Sequence, residues 1–166
     1  MDFLDFALIP SVILCAMVTG FIFTYAVVVM PGFSKLGDKE FIKAFQVTDA
    51  VIQNNQPLFM LTWIGSIISI LSTIIVAIAT IGLSDSWLII LVSVIYLLGV
   101  QGITIGIHLP LNKHIQNMNI DKMTDTTLDE ERRKFEKKWN YYNNIRTGIA
   151  FSVSTILILI ITTRLF

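Results

Sequence analysis

The sequence holds a single cysteine, Cys15, inside an apolar run. It has no partner for an internal disulfide, and no CxxC metal or redox pair can be built from it. It reads as a small packed hydrophobe. Charge is almost as scarce, at 14% of residues where a soluble domain carries roughly a quarter. Twelve basic and twelve acidic residues cancel, so nucleic acid is not an expected partner. The opening MDFLDF has no basic residue. The apolar stretch behind it exceeds the ~7–15 residues of a cleavable signal core, so the segment is expected to be retained. The two histidines, His108 and His114, flank a proline without HxxH or HxxxH spacing, a poor pattern for zinc or copper. No metal ligand is assigned and no cofactor is expected, though haem or metal ligation through His108 or His114 stays open.

What is present is apolar sequence in four blocks, residues 6–30, 58–82, 87–109 and 145–163. Each has about the ~20 residues a helix needs to cross the hydrocarbon core, and in lipid only a helix satisfies such a segment's backbone. The expected fold is all-α, an integral membrane antiparallel four-helix bundle forming one domain over residues 1–166. Its first partner is the lipid bilayer. Gly102 and Gly106 form a GxxxG, and Gly65, Ser69 and Thr73 repeat every four residues. Such small-residue faces serve helix contacts within the bundle or between copies in a homo-oligomer.

Charge asymmetry sets the expected orientation. Eleven basic residues lie in or beside the two long segments between spans, while Arg164 alone lies at the other end and the GLSDS turn carries none. The positive-inside bias places both long segments in the cytoplasm and both termini outside. The location this implies is the cytoplasmic membrane of a prokaryote.

Neither long segment reads as a plain loop. Over residues 38–55, Phe41, Ala44, Phe45, Thr48, Val51 and Ile52 share one helical face, with Gln46, Asp49 and Gln53 on another. This predicts a short amphipathic helix, flat on the membrane or folded against the bundle end. The second segment offers Thr127 and Glu130 at capping-box spacing. A cytoplasmic helix over residues 128–145 should then run unbroken into span four, since no proline or glycine intervenes. Pro110 is expected to kink or stop span three.

Because the spans alternate in direction, one end of the bundle collects the polar residues. Tyr25, Gln46, His108, Asn112, Trp139, Asn143 and Arg146 should surround that cytoplasmic mouth. Nothing comparable is expected at the far end, which offers Asp85, Ser86 and the termini. An arginine at the head of a span either snorkels to the headgroups or anchors an anionic or carbonyl group.

The motifs and their order carry a resemblance. A span ending in Met30-Pro31-Gly32 is followed by Phe45-Gln46, Pro57, the run Pro110 to Asn112, and finally Trp139, Asn143 and Arg146. This pattern, spread over nearly the whole chain, resembles the anthrone oxygenase-like membrane proteins. The resemblance implies a four-helix membrane protein. It also implies an oxidoreductase that uses dioxygen on a hydrophobic aromatic small molecule, as the family's fungal members convert anthrones to anthraquinones, with no established metal or flavin requirement. Such chemistry needs a base, donors to a developing oxyanion and apolar walls. His108 suits the base, and Asn112, Asn143 and Arg146 suit the donors. Tyr25, Gln46, Trp139 and Tyr142 would bind the substrate. The alternative reading is a non-catalytic membrane protein that binds a lipid, quinone, cofactor or partner subunit through the same polar mouth.

Overall fold

Helix-forming apolar sequence dominates the computed structural model, which describes residues 2–165. Four long helices cover the expected spans: α1 (Phe3–Phe33), α3 (Pro57–Asp85), α4 (Trp87–Gln116) and α5 (Asp125–Leu165). Each is long and apolar enough to cross a membrane. Between α1 and α3 lies α2 (Asp38–Gln53). No strand occurs among the described residues. The chain is a multi-pass membrane protein, and its two long connections lie at one end of the bundle, called here the basic end.

α1 packs along both α3 and α5. Its hydroxyls make the crossings specific: Ser11 Oγ lies 2.8 Å from Thr73 Oγ1, and Thr73 Oγ1 donates to the Ala7 carbonyl at 2.9 Å. On the other side Thr19 Oγ1 meets Ser154 Oγ at 2.9 Å. The small-residue row of α3 therefore serves the bundle, as Gly65 also receives Leu14 of α1. The GxxxG of α4 does not. Gly102 and Gly106 are exposed on the bundle's outer surface, and it is Gly99 that makes room for a neighbour, Ile149 of α5. The turn from α3 to α4 depends on Gly82, whose φ of 83° and ψ of 164° belong to a region only glycine occupies comfortably.

Pro110 neither stops nor ends span three. α4 continues through it to Gln116, and the turn just before it widens to π-helix over Thr104–His108. α1 does the same before Pro31, over Tyr25–Val29. A proline ring clashes with the carbonyl four residues earlier, and a widened turn relieves that clash while keeping the backbone satisfied. A further widened stretch, Leu97–Gly102, lies upstream in α4. In a regular helix four-residue steps drift off a face, by about 120° over twelve residues. The wider turns absorb the drift, so Tyr96, Val100, Thr104 and His108 all stay buried.

The fourth long helix starts earlier than residue 128. Its cap is Thr124, whose hydroxyl accepts from the Thr127 amide at 3.3 Å, so Thr127 lies inside the first turn instead of capping it. α2 is folded against the bundle end, but its face is turned from the predicted one. Phe41, Ile42, Phe45 and Asp49 are buried, and Val51 is exposed. The aromatic row Phe41–Phe45 stacks edge-on against Phe135 of α5, and this larger apolar contact sets the rotation. Arg132 fastens the preceding turn to α5 by donating to the Ser34 and Leu36 carbonyls and to Asp38.

The far end is also more structured than its sequence suggested. Arg164 donates to Asp5 Oδ1 at 2.9 Å and to Asp2 Oδ2 at 2.7 Å, tying the start of α1 to the end of α5. Asp2 and Asp5 also complete a capping box. Asp5 is buried, so Arg164→Gln takes the guanidinium from a carboxylate that is left with the Asp2 amide. A loss of about 1–3 kcal/mol is expected, read as a lower thermal midpoint of the detergent-solubilised protein.

Candidate functional site

Trp139 organises the basic end. It sits on α5 one turn below Phe135, is 2% exposed, and touches residues from every neighbouring element. His108 of α4 and Phe45 of α2 meet it edge-on at 5.0 and 5.9 Å, and Tyr25 of α1 lies tilted against it at 5.6 Å, all between ring centroids. The Arg146 guanidinium lies 5.7 Å from its ring, within cation–π range. The indole N–H donates to Asn112 Oδ1 at 3.0 Å. These contacts border a cavity of about 300 Å³, at the lower end of the size range for small-molecule sites.

Its polar floor holds two groups with spare capacity. His108 is 2% exposed, and neither ring nitrogen has a hydrogen-bond partner among the described residues. The Tyr142 carbonyl faces the ring without reaching hydrogen-bond geometry. Arg146 is buried without a carboxylate. Its Nε and Nη2 donate to Asn143 Oδ1 at 3.0 and 2.9 Å, and its Nη1 donates to Thr104 Oγ1 at 3.0 Å. A guanidinium carries five N–H groups, so two remain without a partner among the described residues. Burying an unpaired cation costs several kcal/mol, and donors with spare capacity in a largely apolar cavity favour a ligand that brings an oxygen, above all an anionic one.

Asp49 is the carboxylate of the site, and the sequence reading placed it on the wrong face of α2. It lines the cavity at 2% exposure. Asn112 donates to its Oδ1 at 2.7 Å; Gln116 and Gln53 donate to its Oδ2 at 3.1 and 3.2 Å. Burial pushes its carboxyl above the ordinary carboxylate range, against those three amides. A raised folded value means that ionised Asp49 opposes folding, and this penalty fades as pH falls through the raised value toward that of the unfolded chain. The thermal midpoint of the parent, relative to Asp49→Asn, should therefore rise as pH is lowered. An unchanged difference would contradict the assignment.

The predicted site residues divide. His108, Arg146, Asn112, Tyr25 and Trp139 line one cavity. Asn143 does not line it but orients Arg146, while donating to the Ile22 carbonyl at 3.2 Å. Asn112 is committed between Trp139 and Asp49, so it is a bridge and not a free donor. Gln46 lies outside, donating to the carbonyls of Ile115 and Met118 to fasten the end of α4 to α2. Tyr142 is also outside, packed on Tyr141. His114 is exposed and paired with Glu131 at 2.7 Å. No three His, Cys, Asp or Glu side chains converge among the described residues.

Five contributors escaped the sequence reading. Thr104 lies one turn before His108. Phe59 and Trp63 stack at 5.3 Å on α3, with Phe21 of α1 set 5.4 Å from Phe59. Asp49 did give a signal, since it continues the i, i+4 row Phe41–Phe45.

Fold and site together define a multi-pass membrane protein with a polar-floored, aromatic-walled cavity at one end of four spans. The family model described as anthrone oxygenase matches residues 58–156, more than half of the chain. The chain belongs to that family. No curated protein and no solved structure matches it.

Proposed function

We propose that the protein is an oxygen-dependent oxidoreductase acting on a hydrophobic, anthrone-like aromatic at this cavity. The observation that carries the reading is His108, a buried imidazole with both nitrogens unpartnered beside a guanidinium that still has N–H groups to give. A ring nitrogen of His108 takes a proton from the activated ring CH2 of the substrate. The electron pair left behind delocalises onto the ring oxygen, where the free N–H groups of Arg146 stabilise the oxyanion. The electron-rich carbon then gives up electrons to dioxygen and forms a C–O bond, and the proton held by His108 passes to the outer oxygen to give a hydroperoxide. His108 next takes the remaining C–H proton as the O–O bond breaks and a second ring carbonyl forms, and it returns that proton to the departing hydroxide to complete a water molecule. Four electrons pass from carbon to dioxygen, one oxygen atom stays in the quinone, and one leaves as water.

Tyr25 and Trp139 supply the walls, and Asn143 holds Arg146. The basic end faces the cytoplasm in this reading, as its lysines and arginines favour. Conversion of an anthrone under ¹⁸O₂ tests the reaction. One labelled oxygen in the quinone is expected, and a quinone oxygen drawn from water would overturn it.

A further inference from the structure

The cavity has a side that the reaction does not use. α3 and α4 leave their shared turn in contact, with α3 packed against Trp87–Tyr96 of α4. Toward the basic end they part. There α3 stays on α1, while the later turns of α4 pack on α5 and α2. The gap between them is the cavity itself, walled by Met60, Trp63 and Ile67 of α3 and by Ile105 and Leu109 of α4. Ile105 is 60% exposed and Leu109 45%, both on the apolar outer surface. Toward water the cavity is bordered by polar groups instead, Asp49 and Gln53 of α2, Asn55 in the turn that follows and Asn112 of α4, with Gln53 and Asn55 exposed and the amides of Asn112, Gln116 and Gln53 tied to Asp49.

Resting on the reading above, we infer that the ligand enters and leaves sideways. It passes from the bilayer leaflet at the basic end through the cleft between α3 and α4, past Trp63 and Ile105. The class of ligand this admits is a flat, bilayer-dissolved aromatic whose oxygen goes in first, toward Arg146, and whose apolar edge trails into lipid. A soluble, charged substrate would meet an uncharged rim of isoleucine, leucine and tryptophan, and has no reason to partition there.

The full chain reports the route through its own fluorescence. With Trp63→Phe and Trp87→Phe, Trp139 is the only indole left, and it lies behind the cleft. In vesicles of phosphatidylcholine with brominated acyl chains, Trp139 emission should be lost relative to unbrominated vesicles, whereas iodide in the aqueous phase should leave it unchanged. Quenching by iodide alone, or by neither agent, overturns the lateral route. A bimane carried on Met60→Cys, inside the same cleft, gives the comparison independently if the double variant folds poorly. Neither readout depends on turnover, so the route and the proposed reaction fail separately. Ile105→Trp, which narrows the rim, should lower kcat/KM for a bilayer-dissolved anthrone. An unchanged kcat/KM would count against the cleft.

Discussion

Membranes carrying His108→Ala are expected to oxidise an anthrone roughly 10²–10⁴ times more slowly than the parent, the range for loss of a positioned general base. The protein itself should survive the change. His108 makes no hydrogen bond that would be broken, and its removal leaves Trp139 with Tyr25, Phe45 and Asn112 still in place. Loss of packing against the indole costs some stability, so folded protein must be quantified alongside activity. His108→Gln offers the control. It fills similar space and keeps polar atoms in the cavity but provides no basic nitrogen, so it should be as inactive as the alanine variant. Restored turnover in His108→Gln would show that the ring's role is packing.

Arg146→Gln should lower kcat by about 10²–10³, the cost of removing a donor to a developing oxyanion. KM should move far less, because the neutral ground-state ketone gains little from the cation compared with the anion that follows. Asn143→Ala should reproduce a milder version of this defect. Asn143 touches no part of the cavity, yet it accepts from two of the guanidinium's nitrogens. Its loss frees Arg146 to swing and leaves those donors unpaired. A fall in KM affinity without a fall in kcat, in either variant, would mean that Arg146 binds substrate and transition state alike.

The spans were readable because lipid imposes a single rule, about twenty apolar residues and no unsatisfied backbone, which leaves its mark on composition. The gathering of Tyr25, His108, Asn112, Trp139 and Arg146 followed from alternating spans alone. The finer register did not, for a physical reason that particular residues illustrate. Sequence patterns assume 3.6 residues per turn, while α4 widens its turns before Pro110, keeping Thr104 on the face of His108. The rotation of α2 was decided by Phe41 and Phe45 meeting Phe135 from a segment ninety residues away, which no local periodicity encodes. Asp49 followed its helix into the cavity, and Gln46 turned to the end of α4. A carboxylate inside an apolar end is hard to expect until its three amide donors, scattered over α2 and α4, are seen to converge.

Oxygen uptake by purified protein in lipid vesicles tests the central claim most directly. With an anthrone dissolved in the bilayer, the parent should consume one dioxygen for each anthraquinone formed, at a rate far above empty vesicles, and His108→Ala should fall to that background. Uptake by the parent no faster than empty vesicles, with the folded protein holding the anthrone unchanged, would contradict an oxygenase and leave a binding protein in its place.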